Sequence, residues 1–254
     1  MYFTVISKKK IIAFLSIVFA SIIMIAVLGV GVSSAFSAKS KRELPIYYVK
    51  TDEKKVAISF DCAWGVDYTD TLLEVMKEHD VKCTFFMVEF WSKKNPDYVK
   101  KIHDAGHEIG THSATHPYMS KLDKSTIVKE LTTSSQAIES ITGQKVILFR
   151  PPYGDYNDLL INTAKDLSLY TIQWDVDSLD WKDLSKQQIT ERVVTRVKNG
   201  SIVLFHNQGL HTHEALSDII KNLKDKGYTF CTIGELIYKQ DYKIGADGGQ
   251  ISTL

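Results

Sequence analysis

The 254-residue chain has few cysteines, few prolines and almost no excess of charge of either sign. Three cysteines are too few for a scaffold that depends on disulfides. Five prolines and 14 glycines exclude collagen-like and low-complexity chains. With 31 basic and 30 acidic side chains the formal net charge is +1, which argues against a nucleic-acid-binding protein. The hydrophobic share of 44% is that of an ordinary globular protein.

The N-terminal segment differs in composition from the rest of the chain. Residues 1–42 contain six basic side chains and no acidic one, so residues 43–254 carry a net charge of −5. Residues 11–32 form an uncharged run that is long enough, as a helix, to span a hydrocarbon layer of about 30 Å. Lysines at 8–10 precede this run and favour a cytoplasmic N-terminus. We therefore predict a single-pass membrane protein with a cytoplasmic segment at 1–10, an uncleaved transmembrane signal anchor at 11–32 and an extracytoplasmic catalytic domain.

A cleaved signal peptide is the alternative, since small residues follow the apolar run and cleavage after Ala35 or Ala38 is compatible with them. The hydrophobic region of a signal peptide is usually only about 7–15 residues long, which favours the anchor. Small, polar and basic residues predict a linker at 33–51. The catalytic domain is then expected over 52–240, and the glycine-rich end predicts a flexible tail at 241–254.

Seven short apolar runs alternate with longer amphipathic segments after the linker. This alternation predicts parallel strands joined by helical crossovers, with both faces of the sheet buried. We expect an α/β fold, a distorted (β/α) barrel of about seven parallel strands, with an open doubly wound sheet as the alternative. The seven runs are residues 56–60, 81–88, 107–112, 146–150, 170–174, 201–205 and 228–233.

Five of the predicted strands are followed by polar or aromatic side chains. In barrels and open α/β sheets, active sites form where parallel strands end. Each residue alone has a structural explanation: Asp61 suits a helix cap, and His206 suits a buried histidine. Their convergence on one rim instead predicts an active site. The side chains are Asp61, His112 and His116, Arg150 and Tyr153, Asp177, Asp180 and Trp181, and His206.

These residues belong to motifs that resemble those of the polysaccharide deacetylase family, the NodB-homology domain of carbohydrate esterase family 4. The resemblance covers about residues 54–240. The predicted anchor and the FDCAWG form of the first motif also resemble the PdaB-like sporulation subgroup of Gram-positive spore formers. The matching motifs are FDC (60–62), HSATH (112–116), RPPYG (150–154), DSLDW (177–181) and LFH (204–206).

The resemblance implies a metal-dependent hydrolase of carbon–nitrogen bonds that removes N-acetyl groups from cell-wall polysaccharide. The substrate would be peptidoglycan amino sugars, in sporulation, and the cofactor a divalent metal, typically zinc. Carried over to this sequence, the resemblance implies that His112 and His116 bind the metal. It implies that Asp61 is the general base, oriented by Arg150, and that His206 is the general acid, supported by Asp180. The Tyr153 backbone N–H would stabilise the oxyanion, and Trp181 and Leu204 would line the acetyl pocket.

Cys62 departs from the family pattern, which has an aspartate there as the third metal ligand. Three interpretations are open. The Cys62 thiolate ligates the metal, since thiolate binds zinc at about 2.3 Å. Another acid such as Asp67 replaces it. Or the site binds metal weakly, which would make the chain a non-catalytic or weakly active cell-wall glycan-binding protein on the same fold. Apart from ligation, the ordinary role of such a cysteine is a small buried side chain.

Overall fold

A computed structural model describes residues 42–254 together with Lys8, Lys9, Ile12 and Met24. Residues 43–254 form one compact unit, and the contacts divide the chain at residue 42. Apart from those four positions, the predicted cytoplasmic segment 1–10 and transmembrane anchor 11–32 lie outside the described residues, as does the first part of the linker. A search of the described positions finds no helix with the length and apolar character needed to cross a membrane.

The described part of the unit at 43–254 contains eleven strands that pair into one sheet, together with eight α-helices. The strands are β1 (Tyr48–Val49), β2 (Lys55–Cys62), β3 (Thr84–Met87), β4 (Glu108–Thr111), β5 (Leu148–Phe149), β6 (Tyr170–Thr171), β7 (Val176–Asp177), β8 (Ser201–His206), β9 (Thr229–Phe230), β10 (Tyr242–Ile244) and β11 (Gly249–Ser252). The helices are α1 (Thr69–Glu78), α2 (Glu89–Lys94), α3 (Pro96–Asp104), α4 (Lys124–Thr142), α5 (Asp158–Asp166), α6 (Lys186–Arg196), α7 (Thr212–Asp225) and α8 (Ile233–Leu236).

The centre of the sheet is parallel, in the order β8-β2-β3-β4-β5-β6. Side chains of β2 alternate between two hydrophobic cores, because successive residues of a strand point to opposite faces. Ile58 and Phe60 pack in the larger core with residues of the surrounding helices. Ala57 packs in the smaller core with Phe86 and Ile202 of neighbouring strands, inside the curved sheet. Helices therefore cover the outside of the sheet, while apolar side chains fill its inside.

Residues 46–49 join the two sides of the sheet. Ile46 pairs in parallel with Ile172, just after β6, and Tyr48 of β1 pairs in an antiparallel arrangement with Ser201 of β8. The barrel-like α/β fold expected from the sequence is thus confirmed. The boundary at residue 52 is too late, because Ile46 and Val49 are almost fully buried and belong to the barrel rather than to a linker.

The flexible tail predicted at 241–254 is wrong for most of that segment. Strands β10 and β11 form an antiparallel pair, and β11 pairs in parallel with β1. The buried Gln250 side chain is hydrogen-bonded to both the backbone N–H and the carbonyl of Tyr238. Gly248 has a left-handed φ of 77°, and a Cβ there would lie 2.2 Å from the Tyr47 ring. The glycines of this segment thus permit close packing.

Candidate active site

Strand register brings the predicted site residues to one end of the barrel. Asp61 at the end of β2 is the direct neighbour of His206 at the end of β8. On the other side, Thr111 of β4 pairs with Phe149 of β5, so His112 and Arg150 each follow by one residue. These side chains surround a cavity of about 620 Å³, which we call the active-site cavity. Its lining includes Asp61, Trp64, His112, His116, Tyr153, Trp174, Asp177, Asp180, Trp181, Asp183, Leu204 and His206.

Asp61 is buried and is held by a guanidinium group. Arg150 Nη1 donates to Asp61 Oδ1 at 2.8 Å, and Arg150 Nη2 donates to Ser59 Oγ at 2.9 Å. The fully buried guanidinium also lies 4.2 Å from the centre of the Phe86 ring. Burial alone would raise the pKa of Asp61, but its electrostatic interactions with His112, Arg150 and His206, together with the hydrogen bond from Arg150, outweigh it and lower that pKa below its usual value. Asp61 is therefore an ionised carboxylate in a fixed orientation.

A second carboxylate fixes His206. His206 Nδ1 lies 2.8 Å from Asp180 Oδ1, and the His206 backbone N–H donates to Asp180 Oδ2 at 2.8 Å. Thr212 Oγ1 donates to the same oxygen at 2.7 Å. Burial lowers the pKa of His206, but the hydrogen bond and the charge of the fully buried Asp180 outweigh it and raise that pKa above its ordinary value. The imidazole is thus oriented and stabilised as a proton donor, with Nε2 left for a ligand.

His112 and His116 form the other polar part of the cavity, and their ring centres are 4.9 Å apart. His112 Nδ1 donates to the carbonyl oxygen of Arg150 at 2.7 Å, which leaves Nε2 as an electron-pair donor 3.5 Å from Asp61 Oδ2. His116 Nδ1 is buried without a hydrogen-bond partner. Burial lowers the pKa of both imidazoles, that of His116 to about 4. Both are therefore neutral, the form in which histidine binds metals.

Glu130 of α4 holds the turn between the two histidines, and the sequence reasoning missed it. Its Oε2 accepts hydrogen bonds from the backbone N–H groups of Ala114 (2.9 Å) and Thr115 (2.8 Å), and its Oε1 accepts one from Thr115 Oγ1 (2.7 Å). The turn needs such support because Ser113 and His116 both have left-handed φ values, 71° and 59°. The signal that could have indicated Glu130 is its position on the buried face of α4, next to Leu131.

Cys62 does not lie at the active-site cavity. Its side chain is fully buried in the larger core with Phe60, because it follows Asp61 in a strand and points to the opposite face. Burial, followed by the charge of Asp61, raises the pKa of the thiol well above its usual value, so it is not a thiolate. The thiol of Cys62 thus lies away from the cavity that His112 and His116 line, and metal ligation by Cys62 stays a prediction. Asp67 is not a replacement: it is exposed, and its carboxylate accepts a hydrogen bond from the Gln208 side chain.

The donor set fits a catalytic metal only in part. Catalytic zinc usually has three protein ligands and one open position. The partnerless Nδ1 of His116 and the free Nε2 of His112 fit two of those three positions. Among the described residues, however, no group of three or more histidine, cysteine, aspartate or glutamate side chains has a geometry that could hold a metal ion. The third protein ligand is therefore missing.

Aromatic rings surround the mouth of the cavity. Trp64, Tyr153 and Trp181 line it and remain exposed by 63%, 57% and 56%, whereas Leu204 lies at its buried wall. The Trp64 and Tyr153 rings contact His116 edge-on, with centres 5.3 and 4.6 Å from its ring centre. The positions predicted for Tyr153, Trp181 and Leu204 agree with this arrangement. Trp64 was not predicted as a site residue.

The fold and the site together define the class of protein. The sequence profile of the polysaccharide deacetylase family matches residues 48–172. The chain is 32% identical over 202 residues to peptidoglycan-N-acetylmuramic acid deacetylase PdaA of Bacillus subtilis, with 78% of this chain and 77% of that protein covered. This chain therefore belongs to the polysaccharide deacetylase family, as its motifs predicted.

Two further relatives bear on activity. The chain is 37% identical over 193 residues to the uncharacterized protein YlxY of Bacillus subtilis, with 76% of this chain covered but only 60% of YlxY. The crystal structure of BA3943 from Bacillus anthracis, described as a pseudoenzyme of carbohydrate esterase family 4, is 39% identical. It superposes with a TM-score of 0.74 over 77% of this chain and 69% of that one. A mutant of BA3943 is described as having restored enzymatic activity.

Proposed function

We propose that this protein removes N-acetyl groups from cell-wall polysaccharide, with the amino sugars of peptidoglycan as its substrate. The observation that carries the proposal is the pairing of Asp61 and His206 as direct neighbours at one cavity, each fixed by a buried partner of opposite charge. Their pKa values are shifted in opposite directions, which makes one a base and the other an acid at neutral pH. A purely binding site has no need of such a pair.

The side chains support hydrolysis of an acetamide. Asp61 accepts a proton from a water molecule as the water oxygen forms a bond to the acetyl carbon, and Arg150 keeps the carboxylate aimed at that water. His206 then gives its proton to the amide nitrogen as the carbon–nitrogen bond breaks, so acetate and a free amine leave. Asp180 stabilises the protonated imidazole before the transfer. Trp181 and Leu204 line the part of the cavity available to the acetyl methyl group.

His112 and His116 are the residues that would hold a divalent metal such as zinc, and such an ion supplies polarisation of the acetyl carbonyl. Tyr153, with its left-handed φ of 59°, places its backbone at the cavity wall and is the proposed oxyanion contact. No third ligand supports the ion in the described residues, so we expect weak occupancy at low metal concentration.

A second function is favoured by the same missing ligand. With a two-histidine site, the chain would be a non-catalytic or weakly active protein that binds cell-wall glycan on the deacetylase fold. The similarity to BA3943, described as a pseudoenzyme, supports this alternative. Trp64, Tyr153 and Trp181 are then the contacts that bind the sugar rings without turnover.

Acetate release separates the two functions. The full-length protein is incubated with N-acetylglucosamine oligomers and with wall glycan, in the presence of zinc or cobalt. Deacetylation is supported by acetate release that falls at least about 100-fold in Asp61→Asn and in His206→Ala. Asp104→Asn and His103→Ala are matched controls on α3 and should leave it unchanged. Glycan binding that a chelator does not affect, with no acetate under either metal, favours the binding protein instead.

We also propose that residues 11–32 anchor the protein in the cell membrane, with the catalytic domain outside the cytoplasm and a role in sporulation. The support is the uncharged run after lysines 8–10 and the FDCAWG form of the first motif. Fractionation of sporulating cells should find the protein in the membrane, and protease added outside the membrane should digest the domain at 43–254. Release of the domain as a soluble shorter chain would support signal-peptide cleavage instead.

A further inference from the structure

Two lysine side chains lie over exposed aromatic rings beside the active-site cavity. Lys121 Nζ is 4.7 Å from the centre of the Tyr118 ring, and Lys182 Nζ is 4.8 Å from the centre of the Trp181 ring. The Tyr118 ring stacks on that of Tyr153 with centres 4.3 Å apart and planes 16° apart. Tyr153 and Trp181 both line the cavity. Lys182 therefore contacts a lining ring directly, whereas Lys121 is linked to the lining ring of Tyr153 through Tyr118.

The two pairs approach the cavity from different sides. Tyr118 and Lys121 follow β4, whereas Trp181 and Lys182 follow β7, which pairs with β8. Strands β8, β2 and β3 lie between these positions in the sheet order. A sugar chain that crosses the cavity would therefore contact an aromatic ring with a nearby ammonium group on each of two sides of the cavity.

Among the described residues, neither ammonium group forms an ion pair with a carboxylate within 4 Å, although Asp183 directly follows Lys182 in the chain. Two acidic residues in the region of Lys121 have other partners. Asp155 accepts hydrogen bonds from the Ser120 backbone N–H and hydroxyl group, and Asp123 caps α4 by accepting from the Thr126 N–H. The positive charge of Lys121 is thus available to a ligand.

The inside of the cavity has the opposite electrostatic character. The charge of Asp61 is compensated by Arg150, and that of Asp180 by His206, but Asp177 and Asp183 also line the cavity. An anionic group of a ligand would be repelled from the inside and attracted to the rim, while a neutral acetamide is accepted inside. Aromatic rings at the rim bind the apolar faces of sugars, and the lysines next to them add selectivity for charge.

We propose that Lys121 and Lys182 contact carboxylates on the sugars next to the N-acetyl group that enters the cavity. Lys121 and Lys182 would then select an acidic glycan, with lactyl or peptide carboxylates, over a neutral N-acetylglucosamine polymer. This inference rests on the proposed function, because it requires an N-acetylated glycan in the active-site cavity.

Binding of two soluble oligosaccharides of equal length tests the proposal without need of turnover. One is a neutral N-acetylglucosamine oligomer, and the other alternates N-acetylglucosamine with N-acetylmuramic acid that has free lactyl carboxylates. Titration calorimetry with the full-length protein at low salt should give tighter binding of the acidic oligomer. Lys121→Gln and Lys182→Gln should each weaken that binding about threefold, and the double variant about tenfold. The neutral oligomer should bind all of them alike.

Lys124→Gln is the matched control, since Lys124 is exposed near Lys121 but pairs with Asp166 away from the rim. It should change neither dissociation constant. Raising the salt concentration should reduce the preference for the acidic oligomer. Equal affinity of the wild type for both oligomers, or a double variant that weakens both or neither, overturns the inference and leaves the proposed function standing. Failure of the wild type to bind either oligomer overturns both.

Discussion

The two sides of the active-site cavity differ in how completely their polar groups are partnered. On the acid–base side, Asp61 is paired with Arg150, and His206 is paired with Asp180. On the imidazole side, His116 Nδ1 is buried without a partner, and the third ligand position is occupied by an uncharged thiol that points into the core. Arg150 Nε is also buried without a hydrogen-bond partner, but the charge of its guanidinium is compensated by Asp61, whereas the unpartnered Nδ1 of His116 leaves an imidazole nitrogen for a ligand. The proposed proton-transfer groups are therefore each held by a partner of opposite charge, whereas the proposed metal-binding groups lack a third ligand among the described residues.

The strongest test of this comparison is to supply the missing carboxylate. Cys62→Asp should lower the free energy of unfolding of the metal-free protein by about 2–4 kcal/mol, because it introduces a buried carboxylate without a partner. Zinc offers this carboxylate a partner if the end of β2 turns it from the core toward His112 and His116, so zinc should raise the melting temperature more than in the wild type, and acetate release should increase. Thermal melting with and without zinc measures both effects.

Cys62→Asn is the control for Cys62→Asp, since the asparagine side chain is about as large as that of aspartate but carries no charge. It should be destabilised without gaining a response to zinc. Equal responses of the two variants would show that position 62 does not reach the imidazole side, and the comparison would then have to be explained by residues other than Cys62.

The acid–base side is tested by removing the charge that stabilises His206. In Asp180→Asn the pKa of His206 should fall by about one to two pH units, because a charge-assisted hydrogen bond contributes about 1.5–3 kcal/mol to the protonated form. The direction follows from the sign of the charge: loss of a nearby anion destabilises the imidazolium. An NMR titration of the imidazole signals measures this without need of activity. Asp177→Asn should give a smaller fall, and an unchanged pKa in Asp180→Asn would contradict the proposed role.

The imidazole side is tested through the turn that carries it. Glu130→Gln places an amide N–H₂ group against backbone N–H donors. We therefore expect zinc affinity to fall about tenfold and the free energy of unfolding to fall by about 1–2 kcal/mol. Titration with zinc alone, monitored by calorimetry, gives the affinity. Glu139→Gln makes the same chemical change on the same helix, at a carboxylate that accepts only from the Val146 N–H, and should not affect zinc affinity. Equal zinc affinities in both variants would exclude a positioning role for Glu130.

The smallest effect is expected from simple removal of the thiol. Cys62→Ala should leave the zinc content of the purified protein unchanged and cost about 1 kcal/mol of stability, because it only creates a small cavity in the core. His112→Ala should lose the zinc that the wild type binds. If Cys62→Ala lost zinc to the same extent, the thiol would be a ligand after all.

Much of the architecture could be predicted because the parallel strands are short apolar runs with a polar residue at one end. Each of the seven predicted runs overlaps a strand, and the predicted site side chains at the ends of β2 and β8 and just after β4 and β5 meet at one cavity. Strand β7 was missed because a two-residue strand has no measurable periodicity. The hairpin of β10 and β11 was missed because glycine composition alone does not distinguish close packing from flexibility.

The orientation of Cys62 could have been predicted from strand alternation, since adjacent residues of β2 point to opposite faces and Asp61 points inward. The family resemblance pointed instead to a ligand at this position. Glu130 was beyond the reach of the motifs because it lies outside them on α4, 15 and 16 residues after the Thr115 and Ala114 N–H groups that donate to it, and only the packing of that helix brings the two together.

The seam between β1 and β11 has a consequence for how this protein is made. Tyr48 and Gly249 are paired, and the Tyr48 hydroxyl donates to Asp247 across a separation of 199 residues. Contacts between such distant positions form late, because the whole intervening chain must be ordered first. If the domain is exported in extended form, this seam closes only after the last few residues have crossed. A chain truncated before residue 249 should therefore emerge with the edge of β1 that normally pairs with β11 exposed.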